Sequence, residues 1–574
     1  MYRRIAAIAL GISMLSWQDG GPKPDADNGG LVLPDGFGAL VVVDSLPGKA
    51  RHLAVSAEGY IYVKGRKDVE GGMNWALQDT DGDGKADVIR NFGPYKREGS
   101  YSTGMRIHKG YLYTGSEKLV YRYLLKPGEL IPTSPHEVIV VDSSGGREHM
   151  AKPIAFDGKG NIYVPFGGPS DACQLENRVP GSPGRNPCPL LDSNAGVWRF
   201  DANRLNQFRS VHGTKVATGV RSIVGLEWNE RDDALYAVVH GRDNLNMSWP
   251  QFFTPWQNAV LPAEGLYKLK PGTDAGWPYY YYDQTKKSLM LNPEYGGDGK
   301  IVCKDSGITA PLVGFPGHFA PNDILFYKGR QFPERYRNGA FIAFHGSTIR
   351  SPYPQGGYFV AFVPFVNGKP GRWEVFADGF TGRDTVLNTS DSRFRPMGLA
   401  EGPDGSLYIS ESVTGRIWRV IFRGDRKNFG SAQLSKMKAR ENRTYIKNPD
   451  PVRDDLTKTS RVGGGQVLYQ THCRVCHQNN GKGDGTRFPP LARSEWVTGD
   501  KDRLIRLTLE GLSGPIEVDG KSYNSAMPHF AYLTDPQISD VLNYIRNAFG
   551  NVADSLSTSD VARVRESVKK PQRR

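Results

Sequence analysis

One pentapeptide late in the chain, Cys473-Arg474-Val475-Cys476-His477, carries residue types that could bind a haem. Two cysteines separated by two residues and followed at once by histidine form the attachment pattern of a c-type haem. A zinc pair or a redox dithiol has similar spacing. However, no second cysteine pair completes a zinc site, and no βαβ pattern surrounds the motif. The pattern therefore predicts haem c attached to Cys473 and Cys476, with His477 as an iron ligand.

A methionine before a proline, Met527-Pro528, lies about fifty residues beyond this motif. Met527 is the predicted second iron ligand, with core packing as its alternative role and His529 as the rival ligand. His/Met ligation leaves no open coordination position, which favours electron transfer over oxygen binding. The apolar spacing of residues 535–549 predicts a closing helix, and the whole segment resembles a class I cytochrome c.

A second chemical cluster puts four carboxylates on alternate positions around a glycine turn: Asp79, Asp81, Asp83 and Asp87. Carboxylates this close repel one another unless a cation lies between them, so the stretch predicts a calcium loop. An EF-hand requires a glutamate at its twelfth position, where this chain has Arg90, so a shorter loop is expected. A solvated acidic hairpin tip is the alternative.

Charged residues also recur at similar places beside successive apolar units. Glu148-His149 is a carboxylate beside a histidine, a pair that could orient a general base. Arg221, Arg393 and Arg395 stand just before later units. Arginines that converge on one site imply an anion with several carboxylates or phosphates. For each residue taken alone, a solvated surface charge is the alternative.

The elements that would position these residues are β-strands between about residues 30 and 425. Short β-branched and aromatic runs alternate with Gly, Asp, Asn and Pro turns. An apolar pair, a turn and an aromatic strand recur six times, at 52–63, 105–113, 153–164, 225–237, 323–343 and 398–409. The pattern predicts an all-β six-bladed propeller, with a β-sandwich as the alternative. Residues 426–461 are predicted to form a linker or a strap, 462–550 a small all-α haem domain, and 551–574 a basic tail.

The length of 574 residues implies two or more domains. Residues 1–20 carry a basic start and an apolar run, which predicts a signal peptide or an N-terminal membrane anchor. Export agrees with the haem motif, because c-type haem is attached outside the bacterial cytoplasm. In an oxidising compartment Cys173 and Cys188 could close a loop, leaving Cys303 as a free thiol. The net charge of +13 indicates a basic surface or steering toward an acidic redox partner, and no nucleic-acid partner is expected.

Most of residues 35–425 resemble the PQQ-dependent soluble sugar dehydrogenases, in the branch of sorbosone and aldose sugar dehydrogenases. The matching stretches are 147–167, 219–228, 240–243, 261–264 with 276–278, 318–327, 345–350 and 393–419. The haem domain resembles the fused cytochrome of sugar or alcohol dehydrogenases. The resemblance implies PQQ, calcium and haem c as cofactors. It also implies a periplasmic or exported quinoprotein that oxidises a sugar, sugar aldehyde or polyol by hydride transfer to PQQ. Electrons would then pass singly to the haem and on to an external acceptor such as a soluble cytochrome.

Carried over residue by residue, the resemblance makes His149 the catalytic base, oriented by Glu148. The PQQ contacts fall on Arg221, Arg393 and Arg395, and the main-chain carbonyls of Gly241 and Arg242 would hold an active-site calcium. His318 and His345 fall in loops expected to line the substrate mouth.

Two departures from the family pattern concern this site. Phe359 stands where many relatives have a lysine, and residues 345–350 lack a Trp-Asn pair that relatives often show. Both departures predict an altered PQQ pose or substrate. Two other functions stay open: an electron carrier whose propeller docks a redox partner, and a propeller oxidoreductase with a different cofactor.

Overall fold

The computed structural model describes residues 21–67, 69–93, 99, 102–143, 148–351, 353–450, 464–485, 488–512, 514–525, 527, 529–531 and 533–569. The predicted leader at residues 1–20 lies outside these residues. Among the helices of the described part of the chain, none has the length and apolar character needed to cross a membrane.

Residues 37–422 form six antiparallel sheets of four strands each, named here blades 1 to 6 in chain order. Blade 1 contains Ala50–Val55, Ile61–Gly65, Asn74–Gln78 and Val88–Phe92. Blade 2 contains Met105–His108, Tyr111–Gly115, Leu119–Leu124 and Glu137–Val141. Blade 3 contains Ala155–Phe156, Asn161–Phe166, Gly196–Asp201 and Thr214–Thr218.

Blade 4 contains Ile223–Asn229, Ala234–Val239, Glu264–Leu269 and Val313–Phe315. Blade 5 contains Pro321–Phe326, Gly339–Phe344, Phe359–Val366 and Glu374–Ala377. Blade 6 contains Pro396–Glu401, Leu407–Glu411, Ile417–Phe422 and the N-terminal strand Phe37–Val43. Short additions extend blades 2, 3 and 5: Gln207–Phe208, Thr273–Asp274 and Lys369–Pro370. A separate hairpin pairs Tyr280–Asp283 with Ser288–Leu291.

The ring is closed by strands from the two ends of the propeller sequence. Phe37–Val43 pairs antiparallel with Ile417–Phe422, with Ala39 opposite Val420. This pairing removes the free edges that an open set of blades would expose. The six predicted units are the first two strands of the six blades, so the prediction of a six-bladed propeller is confirmed.

The connections between strands hold only short helical segments, which leaves most loops free to carry polar side chains. The helices are Arg209–His212, Leu245–Ser248 and Pro255–Val260. The 3-10 turns are Asn28–Gly30, Pro189–Leu191, Pro293–Tyr295, Glu334–Arg337 and Thr389–Asp391.

The chain leaves blade 6 and crosses blade 5 as a strap, defined here as residues 426–450. The strap contains the helix Ser431–Arg440. The Tyr445 hydroxyl and the Arg440 guanidinium both donate to the buried carboxylate of Asp378. Met437, Tyr445 and Ile446 pack into an apolar core shared with blade 5. The described part of the predicted linker therefore contacts the propeller along its length.

The C-terminal domain is a small bundle of helices around one apolar core. Its helices are Gly464–Leu468, Tyr469–Cys473, Arg474–His477, Glu495–Thr498, Lys501–Glu510, Asp535–Asn547 and Thr558–Lys569, with a hairpin of Ile516–Val518 and Lys521–Tyr523. The predicted closing helix begins after Thr534, whose side chain accepts from the Gln537 N–H. It buries Ile538, Val541, Leu542 and Ile545.

The predicted basic tail at 551–574 is wrong over most of its described length. Thr558–Lys569 is a helix, and its Val561 and Val564 are buried in the core of the C-terminal domain. Arg565 forms an ion pair with Asp535 at 2.6 Å. The charged residues of this segment made its apolar stripe at helical spacing hard to recognise in the sequence. That stripe packs the helix onto the neighbouring helices.

Candidate functional site

The haem motif lies at the end of a continuous helical stretch, where its histidine is held in one orientation. His477 is 8% exposed, and its ring Nδ1 lies 2.9 Å from the Pro489 carbonyl oxygen. A carbonyl can only accept, so Nδ1 carries the proton and Nε2 is left with the lone pair that binds iron. Cys473 and Met527 both pack against the core of the same domain. Met527 is held there by two main-chain hydrogen bonds with Leu512. These residues fit a haem c site.

His149 lies on the propeller in a half-buried loop before blade 3, with a left-handed φ of 54°. Its Nδ1 is 2.5 Å from the Gly168 carbonyl oxygen. Nδ1 is therefore the protonated nitrogen, and Nε2 is left as an acceptor. Burial, followed by the charge of Arg221, lowers the pKa of His149 to about 3. The ring is neutral at physiological pH, as a general base must be before it takes a proton.

Gly168 connects His149 to the next predicted site residue. Its N–H donates to the Arg221 carbonyl at 2.8 Å, while its own carbonyl accepts from His149. A side chain at Gly168 would meet the Trp277 ring at 2.9 Å, and one at Gly167 would meet the His149 carbonyl at 2.3 Å. Both positions therefore need glycine because the chains approach too closely for a Cβ.

A buried cluster of opposite charges surrounds Arg221. Its Nη2 lies 2.6 Å from Asp171 and 2.8 Å from Asp243. Arg178 also pairs with Asp243, at 3.3 Å, and Arg242 pairs with Glu294. Burial alone would raise the pKa of Asp243, but Arg221 and Arg178 outweigh it and hold that pKa well below its usual range. The cluster therefore stays charged and fixes the position of Arg221.

Glu148 does not orient His149 in this structure. Its carboxylate pairs with Arg178 at 3.0 Å and accepts from the Asn177 amide at 2.9 Å. The described hydrogen bond of the His149 ring is the one to Gly168. The two side chains are neighbours in sequence but turn to different partners, because Arg178 offers the carboxylate an opposite charge that a neutral ring cannot.

Gly241, predicted to hold calcium through its carbonyl, is held on both sides. Its carbonyl accepts from Arg221 Nη1 at 2.6 Å, and its N–H donates to Glu264 at 3.0 Å. Burial raises the pKa of Glu264 to about 8. A cation on this carbonyl would have to take the place of the Arg221 guanidinium, so the calcium role of Gly241 and Arg242 stays a prediction.

The structure brings Arg395 and His345 together and places Arg393 elsewhere. Arg395 donates from Nη2 to His345 Nδ1 at 2.8 Å, and His345 Nε2 in turn lies 2.7 Å from the Ser412 hydroxyl. Arg393 is exposed, lies over the Phe394 ring at 4.9 Å, and faces a surface depression that Asp44 and Arg416 also line. In a regular strand, residues two positions apart point to the same side. The chain just before blade 6 is not a regular strand, so these two arginines have different surroundings.

His318 was expected to line an open mouth, but its ring is 4% exposed. Its Nε2 donates to the carbonyls of Asn258, at 2.7 Å, and Leu261, at 3.1 Å. His318 therefore joins its own loop to the end of the helix Pro255–Val260 and offers little of its ring to a ligand.

Phe359, the departure from the family lysine, lies inside blade 5. Its ring is fully buried, 5.0 Å from that of Phe344. The preceding residue, Tyr358, stands just before this strand with a left-handed φ of 69°, and its ring centre is 5.9 Å from the Arg395 guanidinium. A lysine at position 359 would therefore extend into the apolar core, whereas Tyr358 lies beside Arg395 of the candidate site.

Comparison with known families adds to this geometry. A model of the TrAA12-like family matches residues 31–422, which is more than half of the chain, and a cytochrome c model matches residues 463–549. The chain belongs to the TrAA12-like family. The resemblance to PQQ-dependent sugar dehydrogenases and the presence of a cytochrome c domain, which implies haem c, are thereby confirmed.

Curated relatives match parts of the chain. Cytochrome c-552 of Thermus thermophilus is 42% identical over 96 residues, covering 16% of this chain and 64% of the relative. The cytochrome c subunit of alcohol dehydrogenase (quinone) of Gluconobacter oxydans is 34% identical over 113 residues, covering 19% of this chain and 23% of the relative. The chain thus spans less than two thirds of the length of these two relatives.

Two solved structures share the fold of the TrAA12-like domain. The PQQ domain of pyranose dehydrogenase from Coprinopsis cinerea aligns with a TM-score of 0.54 at 17% identity, covering 70% of this chain and 98% of that one. The calcium structure of the family AA12 protein from Trichoderma reesei has the same score and identity, covering 68% and 96%. At this identity the likeness concerns the fold.

The acidic loop of the TrAA12-like domain joins two strands of blade 1, away from His149 in the sequence and in the blade order. Oxygen atoms of Asp79, Asp81 and Asp87 lie within 4.8 Å of one another. Asp83 is outside this group, and its carboxylate accepts from the Lys85 N–H at 2.7 Å. Three of the four predicted ligands are thus close enough to share a cation, and the calcium loop stays a prediction.

A disulfide joins Cys173 to Cys188, as expected, and leaves Cys303 as a free thiol. The closed loop begins two residues after Asp171 and contains Arg178. It therefore anchors two members of the charge cluster beside Arg221.

Several residues of this site were missed by sequence reasoning. Asp171 and Arg178 share one loop, Asp243 and Tyr358 come from two others, and nothing in their local spacing marks them. One signal was available: the Gly167-Gly168 pair at the end of a strand indicates that another chain approaches closely. In the structure that chain carries His149.

Proposed function

We propose that this chain is a PQQ-dependent dehydrogenase that oxidises the CH–OH group of a sugar, sugar aldehyde or polyol. Electrons would leave singly through haem c to an external acceptor, such as a soluble cytochrome. The disulfide and the haem motif favour an exported or periplasmic location, with a cleaved leader or a membrane anchor at residues 1–20. The net charge of +13 favours an acidic acceptor protein.

The observation that carries the proposal is the hydrogen bond from His149 Nδ1 to the Gly168 carbonyl. It leaves Nε2 of a neutral ring as a proton acceptor beside Arg221. Bound PQQ would supply a two-electron acceptor. In this proposal His149 Nε2 takes the proton of the substrate hydroxyl, and Gly168 keeps the ring in the tautomer that can do so.

The donors at the site fit a multiply charged anion such as PQQ. Arg221 Nε is buried and has no hydrogen-bond partner among the described atoms, so it can donate to a ligand carboxylate. Arg395 is the second cation, and burial lowers its pKa to about 10, which still leaves it charged at neutral pH. We assign the PQQ contacts to these two arginines. Arg393 contributes none in this proposal because of its outward position.

The experiment uses the haem as the reporter of turnover. The purified oxidised protein is incubated with PQQ and calcium, and aldoses, keto-aldehydes and polyols are added one at a time while the haem absorbance is followed. We expect at least one of these substrates to reduce the haem, and only when PQQ is present. If no substrate reduces a haem that dithionite still reduces, while PQQ binding is undetectable by calorimetry, the proposal is wrong.

A further inference from the structure

The cytochrome domain contacts the propeller through the same segment that attaches the haem. The Asn388 amide of the propeller donates to the Gln478 side-chain oxygen at 3.0 Å. The Ser351 hydroxyl donates to the Gln470 carbonyl. Ser351 follows blade 5 strand Gly339–Phe344, and Asn388 precedes blade 6, so the two contacts bracket one face of the propeller.

Arg474, the first residue between the two haem-binding cysteines, lies inside this contact. It is 3% exposed, although an arginine on a free surface would keep its charge in water. Burial lowers its pKa, and the carboxylate of Asp391 on the propeller opposes that effect. The Arg474 Nη1 donates to the Asn479 side-chain oxygen of its own domain at 3.1 Å. The hydrogen bonds of Gln470 and Gln478 to the propeller lie on either side of Arg474 in the chain, so Arg474 belongs to the segment that contacts the propeller.

Tyr358 connects this contact to the candidate site. It is fully buried, and its ring lies 5.9 Å from the Arg395 guanidinium. A side chain at Gly346 would meet this ring at 2.4 Å, so glycine there lets the loop carrying His345 close over it. Burial raises the pKa of Tyr358 to about 12, with Arg395, Arg350 and Arg474 opposing the rise. Tyr358 thus lies beside Arg395 of the candidate site and belongs to the same connection between strands as Ser351, which contacts the haem segment.

The strap leads the cytochrome domain to this face. The Arg350 guanidinium donates to Asn448 at 3.3 Å, and the Trp256 indole N–H donates to the Pro449 carbonyl at 2.8 Å. The strap ends beside the same loops that contact the haem segment.

We propose that the haem-attachment segment is held docked on blades 5 and 6, and that this contact positions the haem beside the candidate site. The docking contact consists of Ser351, Tyr358 and Asn388 on the propeller and of Gln470, Arg474 and Gln478 on the cytochrome domain. Arg474 and Tyr358 are positioning residues at its centre. The value of the contact for turnover rests on the proposed function, but its existence does not.

The first test needs no PQQ or substrate. Hydrogen–deuterium exchange of the full haem-loaded chain is compared between wild type, Arg474→Glu and the control Arg506→Glu. The control substitution makes the same charge change on the same domain, and the described hydrogen bond of Arg506 is to Ser567 within that domain. We expect Arg474→Glu, but not the control, to speed exchange in the loops 347–353 and 387–392 by about tenfold or more. Unchanged exchange in both variants would overturn the docking.

The second test separates the two proposals. With PQQ, calcium and substrate present, a dye that takes electrons directly at the quinone is compared with reduction of the haem. We expect Arg474→Glu to keep dye reduction within about twofold and to slow haem reduction by about tenfold or more, because small displacements have large effects on reacting groups. A wild-type protein that reduces neither dye nor haem refutes the proposed function, while the exchange result still decides the docking.

Haem content is measured first, because Arg474 lies inside the attachment motif. If Arg474→Glu attaches no haem, Gln478→Ala and Ser351→Ala together remove the two hydrogen bonds described above between the haem segment and the propeller, and leave the motif intact. The same faster exchange and slower haem reduction are expected. Haem reduction at the wild-type rate in this pair would show that the contact does not position the haem.

Discussion

The ring Nδ1 of His149 donates to the main-chain carbonyl of Gly168 across 2.5 Å. This single contact selects the tautomer of a half-buried neutral imidazole and leaves Nε2 as the free acceptor. Because a carbonyl oxygen cannot donate, the assignment of the proton follows from the geometry.

We expect His149→Gln to lower substrate-driven haem reduction by at least about a hundredfold, the range for loss of a general base. Haem content and PQQ affinity should change little. Glu148→Gln is the matched comparison, because its partner is Arg178, and it should retain most of the rate. Both are measured by stopped-flow haem reduction at saturating substrate. Equal losses in the two variants would mean that Glu148 acts on the base after all.

Arg395 and Arg393 provide a pair two positions apart with different surroundings. We expect Arg395→Gln to weaken PQQ binding by about tenfold or more, since charged hydrogen bonds are worth roughly 1.5–3 kcal/mol. Arg393→Gln should change the affinity by less than about twofold because its guanidinium is exposed. Calorimetric titration of PQQ into both variants is the measurement. A larger loss in Arg393→Gln would contradict the placement described here.

Glu264 makes the stability of the propeller depend on pH. Its pKa is raised from 4.5 to about 8 by burial, so between these values the folded chain holds a proton that the unfolded chain has lost. The free energy of unfolding therefore falls as pH rises through this window. Glu264→Gln should remove that fall. The Tm of the variant should therefore rise relative to the Tm of wild type as the pH is raised from 5 to 8. The exposed Glu230→Gln serves as the control, and parallel pH curves for all three proteins would refute the assignment.

The disulfide should stabilise the loop that carries Arg178. Its two cysteines are 15 residues apart, and closing a loop of this size contributes about 3 kcal/mol in the chain-entropy model. We expect the double variant Cys173→Ser/Cys188→Ser to lose roughly this much free energy of unfolding, measured by urea titration. Cys303→Ser, which removes the free thiol, should be close to neutral. A double variant as stable as wild type would show that the charge cluster holds the loop unaided.

The acidic loop of blade 1 should bind calcium without taking part in turnover. We expect calcium to raise the Tm of wild type, and Asp81→Asn to remove that rise because it takes one carboxylate from a group of three. Asp83→Asn is the matched control, since Asp83 lies outside the group. Haem reduction by substrate should be equal in both variants. A calcium response lost equally in both would mean that all four carboxylates contribute.

The propeller and the haem domain could be predicted because their signals are local. Six apolar units at turn-bounded spacing marked the blades, and the Cys-x-x-Cys-His order marked the haem. The same local view failed for Thr558–Lys569, where basic residues outnumbered the two valines that pack it. It failed again for Phe359, because side-chain direction in a strand depends on which face the blade buries.

The sequence by itself determined the chemical groups of this protein: a haem motif, a histidine, several arginines and the strands that carry them. Only the tertiary structure decided which of them meet. Asp171, Arg221 and Asp243 come from different loops yet share one cluster, and Gln478 reaches Asn388 only because the haem domain returns to the propeller. These contacts join residues far apart in the chain. Their formation depends on ring closure and burial, which no local pattern of residues encodes.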